Sequence, residues 1–267
     1  MGSDLRRPGG SARVYAFDLR TGERRWKHAA GEGVATDLRL AEGSVFGVTL
    51  ADELIALDAA SGSLLWSFAT GEPNPDYLLN SSPAVSGGRV FFGGLDGSVY
   101  ALEAASGAPV WKRALGARVS TSILLAEGSL YAGTADGRLH RLDPATGEPV
   151  ASLATEEPPG GRLTAAGGCL LSFLGERAIS CVELSLGGFR WIRRSAKDWT
   201  SSRPYIWRGY ALAADSGSLV ALRLTDGEQV WSVSLPGTVR GIGIGEDALY
   251  AGTLQGAVHA HPLPALP

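Results

Sequence analysis

Apolar and polar residues alternate in short runs along this chain. In GSLYAGTADGRLHRLD, Gly128 to Asp143, two alternating segments flank Asp136-Gly137. That pattern predicts a β-hairpin with a tight turn. Equivalent turns fall at Asp52-Glu53, Asp96-Gly97, Gly175-Glu176, Ser216-Gly217 and Gln255-Gly256. No window sustains a 3.6-residue apolar period, so helices are expected to be few or absent. A second pattern follows each hairpin: YAFDLRTGERRW, IALDAASGSLLW, YALEAASGAPVW and VALRLTDGEQVW end at Trp26, Trp66, Trp111 and Trp231. Aligned on its last residue the pattern recurs at Val150 and Trp191 as well, with successive steps of 40, 45, 39, 41 and 40 residues. So regular a period marks a repeat architecture.

One unit reads as four strands: an inner one such as SSPAVSG, a second such as RVFFGG, a third such as SVYALEA, and an outer one carrying the Trp. Units of about 40 residues and four strands are what a β-propeller blade requires. Gly22, Gly62, Gly107, Gly187 and Gly227 stand four residues before the anchor and Gly147 three before Val150, where the turn into the outer strand is expected to need a positive φ. Asp58 and Ser61, just ahead of such a glycine, are placed to bond the turn's own backbone. Trp26, Trp66, Trp111, Trp191 and Trp231 are read as structural docking residues, each offering a broad face to a neighbouring blade. Val150 breaks the series, and the unit with Glu183, Leu186 and Gly187 departs from the motif. The interfaces at those two units are expected to be the weaker ones.

These residues resemble the repeat of the pyrroloquinoline-quinone (PQQ)-type propellers, YxLDxxTGxxxW preceded by GxVYxGxxDGxL. The resemblance runs from about Ser11 to Pro262 and implies an all-β propeller of four-stranded blades. Inner and second strands can be counted six times, outer strands six times and third strands seven times. A six-bladed ring is favoured, closed by the outer strand Glu23 to His28 completing the last blade. A fragment of a seven- or eight-bladed ring is the alternative. One propeller domain is expected over 11–267, after a flexible segment 1–10.

At 267 residues and 45% apolar the chain can bury a full core. A net charge of −3 leaves no basic footprint for nucleic acid or for anionic lipid. No run of residues approaches the ~18 apolar positions of a membrane span. The opening MGSDLRRPGG has no apolar stretch and is not expected to act as an export signal. The compartment stays open: cytoplasmic as the chain stands, periplasmic or extracellular if a signal precedes it. A monomer is expected.

Quinoprotein dehydrogenases of the resembled fold use a calcium ion, a carboxylate base and often adjacent paired cysteines. No such set can be placed here, so the resemblance implies the non-enzymatic branch, with neither PQQ nor calcium expected. Cys169 and Cys181 flank one hairpin; a three-residue turn at Gly175 would allow a bridge, and a two-residue turn would put them one place out of register. Buried free thiols are the preferred reading. His259 and His261 face one side of a strand and could chelate, but a solvent-facing pair is preferred.

The loops returning from outer to inner strands are free to vary and carry the remaining chemistry. ATGEPNPDYLLNSSP holds Tyr77 and Asn80, and RRSAKDWTSSRPYIW holds Trp199, outside any docking position. With Thr121, Arg162, Arg203 and Arg240 at the entrances to inner strands, these are the candidate ligand-binding residues. Aromatic, amide and guanidinium groups around a channel mouth suit a protein segment, a peptide or a small polar ligand. The function expected is non-catalytic binding or scaffolding; a truncated quinoprotein oxidoreductase and the sensor domain of a larger receptor or kinase are the rivals.

Overall fold

A computed structural model describes residues 12–31, 33–34, 36–72, 81–199 and 203–263. The segment 1–10 expected to be flexible, Tyr77 and Asn80 lie outside the described residues. No helix occurs among the described residues; every regular element is a strand.

The first sheet has two strands, β1 (Arg13–Phe17) and β2 (Arg24–Ala29). Five sheets of four follow, each antiparallel and in sequence order. They comprise β3 (Arg39–Ala41), β4 (Ser44–Val48), β5 (Glu53–Asp58) and β6 (Leu64–Ala69); then β7 (Ala84–Ser86), β8 (Arg89–Gly93), β9 (Ser98–Glu103) and β10 (Pro109–Ala114). Next come β11 (Leu124–Ala126), β12 (Ser129–Thr134), β13 (Arg138–Leu142) and β14 (Pro149–Ala154), then β15 (Pro159–Ala166), β16 (Cys169–Leu174), β17 (Ala178–Glu183) and β18 (Phe189–Arg194). The fifth holds β19 (Tyr205–Trp207), β20 (Tyr210–Asp215), β21 (Ser218–Arg223) and β22 (Gln229–Ser234). A last sheet of three is built from β23 (Val239–Ile244), β24 (Ala248–Thr253) and β25 (Val258–Pro262). Four-stranded antiparallel sheets in series are the blades expected from the repeat.

One expectation is not met. Glu23 to His28 does not complete the last sheet: β2 pairs with β1, and β25 has β24 as its one strand partner among the described residues.

The chain divides into two compact units, one built from the residues up to Asp136 with His140–Val150, the other from Gly137–Leu139 and the residues from Ala151 on. In the first, Phe46, Val48, Leu54, Phe92 and Tyr100 form one apolar cluster and Phe91, Val99, Ile123, Leu130 and Leu142 another. In the second, Leu171, Phe173, Ile179, Trp191 and Leu222 pack together, as do Leu212, Leu219, Val239, Ile242 and Leu249. Burial is concentrated in second and third strands, where both faces are covered; β12 and β16 are buried at every residue. Outer strands alternate instead, because one face meets solvent.

Four tryptophans of the motif make the same two contacts. Trp26, Trp66, Trp111 and Trp191 each donate an indole N–H to a backbone carbonyl of the following sheet's turn, on Ala59, Ala104, Pro144 and Leu224, at 3.0, 3.0, 3.2 and 2.9 Å. Each ring also lies over that turn's glycine: a Cβ on Gly107 would sit 2.6 Å from Trp66 Cε3, and Gly62, Gly147 and Gly227 meet Trp26, Trp111 and Trp191 as closely. These glycines also have φ of 72–74°. The glycine is therefore required twice, for its left-handed backbone and as the seat of the preceding tryptophan.

Gly187 is an exception to the expected positive φ. Leu186 takes the left-handed conformation there, with φ 60°. The cause is a tighter turn: Leu186 N bonds Glu183 O three residues back, whereas Gly62, Gly107 and Gly227 each bond a carbonyl four residues back.

Cys169 and Cys181 are joined by a disulfide, which corrects the preference for free thiols. The β16–β17 turn spans Gly175 to Arg177, so Leu171 lies opposite Cys181 and Cys169 opposite Glu183. The two cysteines are thus diagonal neighbours on one face, with Cα atoms 5.4 Å apart and both side chains fully buried.

Candidate functional site

The acidic residues of the motif are committed to turns. Asp58 accepts hydrogen bonds from the Ser61 amide and hydroxyl at 2.7 and 2.6 Å, and Asp143 from the amides of Ala145 and Thr146 at 2.7 and 3.0 Å. These donors hold both carboxyls below their ordinary range. Asp18, bonded by Arg25 and by the Thr21 and Arg20 amides, is lowered to about 2. Asp52 behaves differently. It is fully buried, its φ is 54°, and its carboxylate accepts from Thr70 Oγ1 at 2.5 Å and from Leu95 N, in the next sheet's hairpin, at 3.0 Å. Burial pushes its pKa up. It is a clasp between neighbouring sheets, and sequence reading treated it only as a hairpin turn.

The loop residues divide into structural and available groups. Thr121 is buried; its Oγ1 accepts from Gly133 N at 2.7 Å and donates to Ser122 O at 3.1 Å, which ties the entry of its sheet. Trp199 packs against Phe173, with ring centroids 6.1 Å apart, beside the cluster of Leu171 and Ile179. Its amide donates to Glu176 O at 2.7 Å, while its indole nitrogen is buried without an acceptor among the described residues. Arg240 is exposed on β23.

Arg162 and Arg203 are brought together. β15 pairs with β16 at Pro159 and Gly160 and again from Thr164, and the register shift between them is a bulge that contains Arg162. A bulge re-aims the side chain it carries. Thr164 Oγ1 donates to Pro204 O at 3.2 Å, fixing the segment with Arg203 beside β15. The Arg203 guanidinium stacks over the Tyr205 ring at 4.6 Å, and its Nε is buried with no acceptor among the described residues. Burial, and then the charge of Arg203, pulls the Arg162 pKa down. The Arg203 guanidinium and the Tyr205 phenol are thus stacked at the entrance to β19, and Arg162, near the start of β15, lies close enough to feel the charge of Arg203. Tyr205 was not singled out from sequence; its place one residue beyond Pro204 was the available signal.

A cavity of about 510 Å³ in the same unit is lined by Glu157, Glu176, Arg177 and Arg194. Its arginines are already matched, Arg194 with Glu156 and Glu157, and Arg177 with Asp198 at 2.9 Å. His259 and His261 are half-buried on one face of β25, not solvent-facing.

The comparison with known proteins bears on this arrangement. A family model described as outer membrane protein assembly factor BamB matches residues 7–93 and 75–168, more than half of the chain. The chain belongs to the BamB family. Its repeat is thus the PQQ-type repeat in a family of assembly factors, and the chain is not an enzyme. No curated protein is matched. Among solved structures, BamB from Moraxella catarrhalis superposes with a TM-score of 0.81 at 23% identity, over 94% of this chain and 78% of that one. A computationally designed protein, Ika8, gives a TM-score of 0.79 at 13% identity over 95% of this chain and 78% of the designed one. Likeness at such identities is likeness of fold.

The residues do not fit the quinone and calcium that the repeat's name brings to mind. The two cysteines are diagonal and core-buried rather than adjacent at a mouth, and no three His, Cys, Asp or Glu side chains gather to hold a metal among the described residues. No helix of the described residues is long and apolar enough to cross a membrane.

Proposed function

We infer that this chain is a non-catalytic scaffold that holds a protein segment at the loops entering β15 and β19, with Arg162, Arg203 and Tyr205 as the anchor. The observation that carries this reading is the half-buried Arg203 guanidinium stacked on the Tyr205 ring, beside the half-buried Arg162. Neighbouring guanidinium charges attract a segment that carries carboxylates. Arg and Tyr are also the residue types in which binding energy concentrates. A segment bearing carboxylates, its aromatic or apolar neighbours lying on Tyr205, satisfies both features. Trp199 is held against the core by Phe173, and exposed Arg240 is a further contact for a long segment. Membership of an assembly-factor family supports a protein partner over a small metabolite.

The test is a panel of labelled peptides that differ in Asp and Glu content, titrated against wild type, Arg203→Ala and Arg162→Ala at two salt concentrations. Acidic peptides should bind, with affinity falling as salt rises, and each substitution should weaken binding at least about tenfold, or about 1.4 kcal/mol. Equal binding of acidic and neutral peptides, or affinity indifferent to both substitutions, removes this site from consideration.

A further inference from the structure

In the first compact unit, the hairpins that join inner to second strands are tight turns: Glu42-Gly43 between β3 and β4, Gly87-Gly88 between β7 and β8, and Glu127-Gly128 between β11 and β12. All six turn residues are left-handed, with φ from 45° to 75°. β7 lies between β3 and β11, so each hairpin faces the next across a groove. The two grooves are closed differently. In the first, Glu42 reaches across and its carboxylate accepts from Gly88 N at 3.3 Å. In the second, Gly128 N stands where Gly88 N does, but Gly87 occupies the place of Glu42 and has no side chain to offer. Gly128 N has no acceptor among the described residues.

A cavity of about 440 Å³ opens in this second groove, the size of a small-molecule site. Phe91 and Leu125 line it, backed by the apolar cluster that includes Trp111. The turn at Pro144 and Ala145 forms a wall. It is pinned by Trp111 Nε1 to Pro144 O at 3.2 Å and by Arg89 to Ala145 O at 3.0 Å. Arg89 stands where the preceding sheet has Ser44, so a positive charge has been added to the groove that lacks the carboxylate. A guanidinium has five N–H donors, and that bond to Ala145 uses one of them. Glu127, exposed at the rim, is not paired with Arg89.

We propose that this cavity binds a small carboxylic acid with an apolar body, its carboxylate held by Gly128 N and Arg89 and its body lying on Phe91 and Leu125. The occupant's chemistry is read from Glu42, which supplies a carboxylate on an aliphatic arm to the equivalent amide in the groove before. Hydrogen bonds from a guanidinium and a backbone amide to an ionised carboxylate are the charge-assisted kind, which fixes the orientation of the acid. Glu127 at the rim repels a second negative charge, so monocarboxylates are favoured over dicarboxylates. All of these residues belong to the first unit and the arginine site to the second, and neither reading rests on the other.

The probe is phenylpropionate, titrated calorimetrically into the full chain beside its neutral amide and succinate. The acid should bind, and both the amide and succinate should bind at least about tenfold more weakly. Arg89→Ala should weaken the acid by a similar factor. Gly87→Glu should abolish its binding, because the new side chain puts a carboxylate in the seat. That position has room: a Cβ on Gly87 meets nothing within 4 Å, and Glu42 and Glu127 already stand at this turn position with φ of 50° and 45°. Ser86→Trp, at an exposed position lining the cavity, fills the space by another route and keeps the test decisive if Gly87→Glu does not fold. No binding of the acid at millimolar concentration overturns the proposal, as does equal affinity for acid and amide or indifference to both cavity-filling variants. Affinity lost in Arg203→Ala instead would place the acid at the arginine site and overturn it too. Binding of a Glu-bearing peptide but not of the free acid would assign the seat to a partner segment, with the same consequence.

Discussion

Gly107 and Gly22 have nearly the same backbone, with φ of 72° and 73°, but differ in what lies above them. Trp66 covers Gly107, and nothing is within 4 Å of a Cβ at Gly22. Comparing the two separates backbone from packing. Gly22→Ala should cost only the left-handed penalty, on the order of 1–2 kcal/mol. Gly107→Ala should cost more, because the methyl must displace Trp66 and with it the indole bond to Ala104 O. Trp191→Ala, which removes a nearly buried indole and leaves Leu224 O without its donor, should cost about 3–5 kcal/mol. Urea midpoints of the three variants are the measurement. Equal losses for the two glycines would reduce the glycine to a backbone role alone.

At the scale of the element, the hairpin of β16 and β17 shows how little separates two outcomes. A three-residue turn from Gly175 to Arg177 puts Cys169 and Cys181 on one face, within bonding reach; a two-residue turn would have put them on opposite faces. The bond closes a short loop, so replacing both cysteines by Ala should destabilise the chain by about 2–4 kcal/mol. Mass spectrometry of unreduced peptides checks the linkage, and denaturant midpoints check its worth. Because both sulfurs are fully buried, reductant should act on the native chain only as fast as the hairpin opens.

Across the whole chain, carboxylates of two kinds give opposed responses to pH. Asp18, Asp58, Asp143 and Asp226 are lowered by hydrogen bonds, so their contribution to stability is complete above the unfolded carboxylate range and is lost as pH falls through their folded values. Asp52 is raised by burial, so its contribution is complete at low pH and is lost as pH rises through its folded value. Asp52→Asn keeps an oxygen for Thr70 and Leu95 and removes the buried charge. Its melting temperature relative to wild type should therefore increase between pH 4 and pH 7. A difference constant across that range would show that folding leaves the Asp52 pKa unshifted.

Much of this architecture is local, and local patterns are legible in a chain. The period, the alternation within hairpins and the dozen-residue motif determined the strands, their order in each sheet and the tryptophans that join them, because each depends on residues no more than one repeat apart. What the residues do beyond their own repeat was decided by the tertiary structure. The second duty of Gly107 depends on Trp66 of another sheet, and Arg162 comes near Arg203 only through the packing of β15 beside the entry to β19. Trp199 read as a free aromatic because nothing near it in sequence shows that Phe173 lies beneath it.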